Sequence, residues 1–304
     1  MPTLLTRILP FYVFALIGFL LSRFKVVRSE QATVLSRLLV WVFLPASILR
    51  TFSSGCTLPY LRQNALLILC SFAVLAVIAL CAHVIVSKAV HDPTERAILT
   101  YSAIIPNFSY LGYPMAEALF GPSALIDAML FALPLSLYTY TIGFRLLSGK
   151  PASPRQIFPP PMFALILGVI LGISGLGGRM PSVVDTILAS AASCMGPMSM
   201  ILLGIVLSEI PLLALLKDKR IWLMILLRLI VIPLALGLLL SPIGNEALTR
   251  CALLIYAMPC GSNTVIFVKN AGGDCRIGAA LAMISTMLSL LTVPALMTLL
   301  PHLL

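Results

Sequence analysis

From one end of the chain to the other, apolar runs of about 20 residues alternate with short clusters of Pro, Gly and charge. Each run is long enough, as helix, to cross a hydrocarbon core of about 30 Å. The windows between these clusters predict spans at 4–23, 31–52, 64–88, 96–120, 123–147, 160–175, 183–207, 220–240, 247–270 and 277–300. The sixth is the least regular, because Pro159, Pro160 and Pro161 open it and a Gly-rich stretch from Gly172 to Gly178 closes it. No segment between spans is long enough for a soluble domain. The expected fold class is an all-α polytopic membrane protein of ten transmembrane helices.

A shift of about half the chain aligns the punctuation of its two halves. Pro45-Ala46-Ser47 meets Pro197-Met198-Ser199, Pro106 meets Pro259, Gly121 meets Gly273, and Pro10 and Gly18 meet Pro160 and Gly168. Five spans per half is an odd number, so the second half enters the membrane from the opposite side, as an inverted repeat. The predicted organisation is a first five-helix repeat over 1–148, a short cytoplasmic connector over 149–159 and a second, inverted repeat over 160–304.

Composition supports lipid as the solvent: 60% of residues are apolar and 10% charged, against roughly 25% charged in soluble domains. The net charge of +10 is scattered among loops, with no dense basic run to hold nucleic acid. Of the 20 Lys and Arg, 13 fall on the odd-numbered connections and five on the other side, so the odd connections are expected in the cytoplasm and both termini outside it. Arg23, Lys25 and Arg28 follow the first run, a charge order that fits a retained helix rather than a cleaved signal.

Seven cysteines form no CxxC pair, and Cys70, Cys81, Cys194, Cys251 and Cys260 lie in apolar runs, which reads as packing rather than a disulfide or metal framework. A complete phosphate loop, HExxH and GxSxG are all missing from the sequence. No catalytic residue, metal or cofactor is expected.

The chemistry concentrates in two mid-span interruptions. Span 4 contains Pro106-Asn107-Phe108-Ser109-Tyr110-Leu111-Gly112-Tyr113-Pro114, and span 9 contains Pro259-Cys260-Gly261-Ser262-Asn263-Thr264. A proline inside a helix costs about 3 kcal/mol, and freed backbone groups in hydrocarbon survive only against protein or a wet cavity. Paired breaks at matching places in two halves point to a binding site, with Pro106, Pro114 and Pro259 holding them open. Each resuming half-helix presents free N–H groups and a positive dipole end, suited to a carboxylate. Asn107, Ser109, Tyr110, Gly112, Gly261, Ser262, Asn263 and Thr264 are the candidate substrate-binding positions.

Among ionisable residues inside spans, Glu117, Arg228 and His83 are candidates for coupling. Glu117 and Asp127 fall near outer helix ends, where a headgroup-level solvated side chain is the simpler reading. Arg37 is placed to snorkel to the basic side, Arg228 is deep enough to need a partner, and a lone His in a membrane helix reads first as packing. Lys269 closes span 9 where the positive-inside bias already accounts for it.

These residues resemble the auxin efflux carrier family, which includes the plant PIN auxin carriers and bacterial carriers assigned to malate, malonate and similar dicarboxylates. The resemblance rests on Pro106-Asn107 with Leu111-Gly112-Tyr113-Pro114, on Met258-Pro259 with Ser262-Asn263-Thr264, and on Ser285-Thr286, Leu288-Ser289 and Thr292-Val293-Pro294 in span 10. It implies crossed, broken helices 4 and 9, a scaffold beside a mobile transport domain, elevator-like alternating access, a crossover site at Asn107 and Asn263, and a homodimer. The short connector with Lys150 and Arg155 favours a bacterial-type carrier of the inner (plasma) membrane.

The expected function is secondary transport of a small organic anion, a mono- or dicarboxylate such as malate, malonate or an auxin-like acid, with a proton or sodium as the possible coupling ion. Two alternatives stand beside it: an ion exchanger or sodium-coupled symporter of the same architecture, and a membrane receptor that binds the anion without moving it. Exchangers put an ionised Asp at the crossover, and none lies between Ile104 and Glu117 or between Met258 and Lys269.

Overall fold

The computed structural model describes residues 2–27, 29–208 and 218–303, of which the side chains of 2–5, 29–30, 154–155, 207, 270 and 300–303 are left aside. Arg28 and Lys217, which enter the charge asymmetry, and the side chain of Arg155 lie outside this description.

Helix dominates, and the rods are numbered in chain order. α1 is Pro2–Arg23. α2 runs through Ser29–Leu38, a π turn at Leu39–Phe43 and Leu44–Gly55. α3 is Ala65–Ala89. α4 has halves at Pro93–Ile104 and Tyr113–Phe120, with a π turn at Phe108–Gly112 leading into the second. α5 comprises Pro122–Phe131, Leu133–Tyr138, a π turn at Thr139–Gly143 and Phe144–Ser148. α6 is Pro160–Ile173 and α7 is Ser182–Leu207. α8 joins Lys219–Leu226, a π turn at Leu227–Val231 and Ile232–Leu240. α9 has halves at Glu246–Ala257 and Asn263–Asn270, and α10 is Arg276–Leu303.

Six helices among the described residues are long and apolar enough to cross a membrane, and α5, bent by 47° at Ala132, adds a seventh as a bent span. The chain is therefore a polytopic helical membrane protein. α4 and α9 escape a length criterion because each is cut into halves of 12 and 8 residues.

Several prolines within the rods follow π turns. Pro45, Pro114 and Pro233 each stand two residues beyond one, in the first turn of the helix that resumes. A proline cannot donate to the carbonyl four residues back, and widening the preceding turn relieves that clash without ending the rod. Pro114 therefore starts the second half of α4 instead of breaking the helix a second time.

Packing sorts the rods into two groups. α1 lies along α7, α2 along α6 and α7, while α3, α4, α5, α8, α9 and α10 pack mainly on one another. Small residues hold the first group together: a Cβ at Gly204 would stand 1.9 Å from the carbonyl oxygen of Ala15, and one at Gly172 would stand 2.5 Å from that of Phe52.

Candidate functional site

The two interruptions meet. Pro106 and Cys260 form an antiparallel bridge, and the backbone N–H of Asn107 donates to the carbonyl of Pro259 at 2.7 Å. The second broken segment thus supplies an acceptor for an N–H that the break in the first left without an intrahelical one, the condition for non-helical chain at membrane depth. On the far side, the N–H of Cys260 donates to Ser285 Oγ at 3.0 Å, tying the crossing to α10.

Just beyond the crossing, a cavity of about 460 Å³ lies on the seam between the two helix groups, lined by α2, α4, α7 and α9. Asn107 and Ser262, which stand where each helix resumes, both line it. Asn107 is 4% exposed, and its side-chain amide has no hydrogen-bond partner among the described residues. Tyr110 joins them, and its carbonyl accepts from Ser199 Oγ of α7 at 2.8 Å. Arg37 and Lys269 also line the cavity, and Asp and Glu are absent from its walls among the described residues. Two resuming helix ends, a free amide, hydroxyls and two cations make a field that favours a small anion.

The remaining candidates fall elsewhere. Ser109 faces a narrower gap of about 40 Å³ shared with Ser136 and Tyr140. Asn263 donates through Nδ2 to the Tyr101 hydroxyl at 2.9 Å, within the group of α4 and α5. Thr264, fully buried, donates to the carbonyl of Gly261 at 3.0 Å. Gly112 lets α4 close on α9, since a Cβ there would stand 3.1 Å from Ile255 Cδ1. Gly261 is in ordinary contact distance of the other strand of the crossing, its virtual Cβ 3.5 Å from the carbonyl oxygen of Pro106.

Glu117 is exposed into a separate cavity of about 280 Å³, beside Tyr113, Pro114 and Pro197, on the other side of the Tyr110–Ser199 contact. His83 lies on an exposed face of α3, its Nδ1 paired with the carbonyl of Ala79 of its own helix at 2.8 Å, so it does not pack in the interior. Arg228 is fully buried at the crossing itself.

Asp127 departs from its reading as a solvated headgroup-level carboxylate. It is 6% exposed, paired with Arg250 at 2.9 Å, and accepts the Tyr60 hydroxyl. The start of α5 tucks beneath the short helix Leu58–Gln63, so the end of a predicted span is not the edge of the protein.

Arg37, read from sequence as snorkelling to the basic side, and Lys269, accounted for by the positive-inside bias, both line the cavity. The signal was available: Thr33, Ser36 and Arg37 on α2, and Ser262, Val265, Ile266 and Lys269 on α9, recur at helical spacing on one face.

A family model described as membrane transport protein matches residues 3–156 and 145–297. A protein of Methanothermobacter thermautotrophicus named as an uncharacterized transporter is 26% identical over 293 residues, covering 94% of this chain and 95% of that one. Another of Methanocaldococcus jannaschii, named likewise, is 27% identical over 298 residues, covering 92% and 94%. With the match running through both broken helices and nearly the whole chain, this protein belongs to the membrane transport protein family, that of the auxin efflux carriers.

Proposed function

We propose that the chain is a secondary carrier of a small organic anion, a mono- or dicarboxylate, working by alternating access across ten spans arranged as two inverted repeats. The observation that carries this reading is the seam cavity, where both interruptions and two cations converge on an Asn107 amide that has no partner among the described residues. A carboxylate there accepts from Asn107, Ser262 and the resuming helix N-termini, while Arg37 and Lys269 draw it in from the basic, cytoplasmic side. Neutral donors at the floor hold the anion without the desolvation cost of a buried cation, and so release it again.

In this reading α1, α2, α6 and α7 form the scaffold and the other six helices the moving body. Sliding of that body would carry Asn107 and Ser262, together with Lys269 and Glu117, past Arg37 and Ser199 of the scaffold, so that the site opens to alternate sides. A homodimer through scaffold faces and a bacterial inner-membrane location, both termini outside, belong to the same proposal.

The test is uptake into proteoliposomes of labelled malate, malonate and indole-3-acetate under imposed sodium, proton or voltage gradients. Asn107→Ala should abolish flux while leaving folded protein, and unchanged flux removes that residue from the mechanism. Saturable binding of the anion without flux under any gradient would favour a receptor.

A further inference from the structure

The first halves of α4 and α9 both end at the crossing, and their last carbonyls bring the negative ends of two helix dipoles together in a low-dielectric interior. In carriers built on broken helices, such carbonyls coordinate the transported cation. In this chain a side chain stands there. Were α4 continuous, the carbonyl of Ala103 would accept from the N–H of Asn107, but that N–H is spent on Pro259. Arg228 Nη1 takes the orphaned carbonyl at 3.1 Å, and its Nε reaches the carbonyl of Met258, at the end of the first half of α9, at 3.3 Å. Its guanidinium lies 5.1 Å from the centroid of the Tyr256 ring.

Two further features mark the arrangement. Arg228 is 0% exposed and makes no ion pair among the described residues, so its charge is answered by those dipole ends and the ring. It also sits on the π turn Leu227–Val231 of α8, the widened turn that precedes Pro233.

We infer that Arg228 is a resident cation that occupies the place of a co-transported one, locking the two broken helices together and freeing the crossing from any need for sodium. The lock stands apart from the transport reading; only the flux measurement below rests on it.

The test uses the full chain in nanodiscs, with thermal unfolding followed by a thiol-reactive dye that reports exposure of Cys56, Cys251 and Cys260, which are buried when folded. Replacing choline by sodium leaves the wild-type melting temperature unchanged. Arg228→Ala melts several degrees lower, and millimolar guanidinium, which fits the vacated space, restores it saturably without moving the wild type. A saturable sodium stabilisation of the wild type, or a folded Arg228→Ala indifferent to guanidinium, overturns the inference. Should Arg228→Ala not fold, Arg228→Lys, which keeps the charge, is expected to melt above Arg228→Met, and equal melting of those two overturns it.

In proteoliposomes, malate flux is expected to be equal in sodium and choline, and a strict sodium requirement overturns the inference. Absence of organic-anion flux in every salt would instead defeat the transport reading and leave the melting result to decide the lock.

Discussion

Asp127→Ala should destabilise the protein by about 3 kcal/mol. The Asp127 carboxylate, its side chain 9% exposed, holds Arg250 at 2.9 Å and accepts the Tyr60 hydroxyl. Without it, Arg250 is left 18% exposed, its Nε already unpartnered, facing the Phe120 ring at 5.5 Å and Glu246 at 3.6 Å. Removing one member of a buried pair costs about 3–5 kcal/mol because the other charge stays uncompensated, and the partial exposure of Arg250 places the value at the lower end. Cys251, buried next to Arg250 in sequence, makes a local reporter for a thiol-reactive dye. Arg250→Met in the Asp127→Ala background should recover most of the loss, since no buried charge then remains. An Asp127→Ala protein that melts with the wild type, or a double variant no better than the single, would refute the reasoning. The pair ties α5 to α9 and lines neither seam cavity, so KM should not change while folded protein lasts.

Other consequences are open to measurement. Lys269→Gln should raise the KM for an anionic substrate roughly fivefold, about 1 kcal/mol, and the difference should shrink at high ionic strength. Gly204→Leu should abolish folded protein on size-exclusion chromatography, because its Cβ would stand 1.9 Å from a backbone oxygen that cannot move aside, whereas Gly178→Ala, with nothing within 4 Å, should behave as wild type. The Arg220 side chain holds Asp218 below the usual carboxylate range, and Arg276 does the same for Asp274. A lowered carboxylate contributes stability at pH above its unfolded value that is lost as pH falls through its folded one. These two loops should therefore leave melting flat between about pH 7 and 5 and weaken it only below about pH 4.

The polytopic helical fold and the two interruptions were legible because a membrane span must satisfy its own backbone, so apolar length and misplaced proline carry nearly all the information. Span 4, expected over 96–120, is realised as Pro93–Ile104 and Phe108–Phe120 with Asp92 as its N-cap. Side-chain direction was less legible. Asn107 and Asn263 both follow a break, yet one faces the cavity and the other Tyr101: Asn107 comes directly after its proline and precedes a π turn, whereas Asn263 stands four residues after its own and begins a regular α turn. Burial of Asp127 was hidden because its partners, Tyr60 and Arg250, lie 67 and 123 residues away.

How the polar contacts are distributed bears on whether two groups of helices can slide. Every ion pair between rods among the described residues stays within one group: Arg50–Asp185 joins α2 to α7, Arg220–Glu95 joins α8 to α4, and Arg250–Asp127 joins α9 to α5. Across the seam the hydrogen bonds are of another kind. Arg7 donates to the carbonyl of Leu119 at 2.8 Å, Ser199 to that of Tyr110 at 2.8 Å, and the Tyr12 hydroxyl meets Ser289 Oγ at 3.2 Å. None sets one charged side chain against another, so moving the bodies past each other separates no ion pair in low dielectric. Each bond that breaks costs about 1 kcal/mol and is open to replacement by a bond to another carbonyl or to water. Rigid within and weakly held between, the two groups have the energetics that the proposed alternating access requires. Arg7→Ala removes a charged donor at the seam, and should shift the resting population away from the arrangement in which Arg37 and Asn107 share a cavity. Alkylation of a cysteine placed at Asn107 by an impermeant reagent, added from the side of Lys269, measures that shift, and an unchanged rate would mean that Arg7 does not bias the two states.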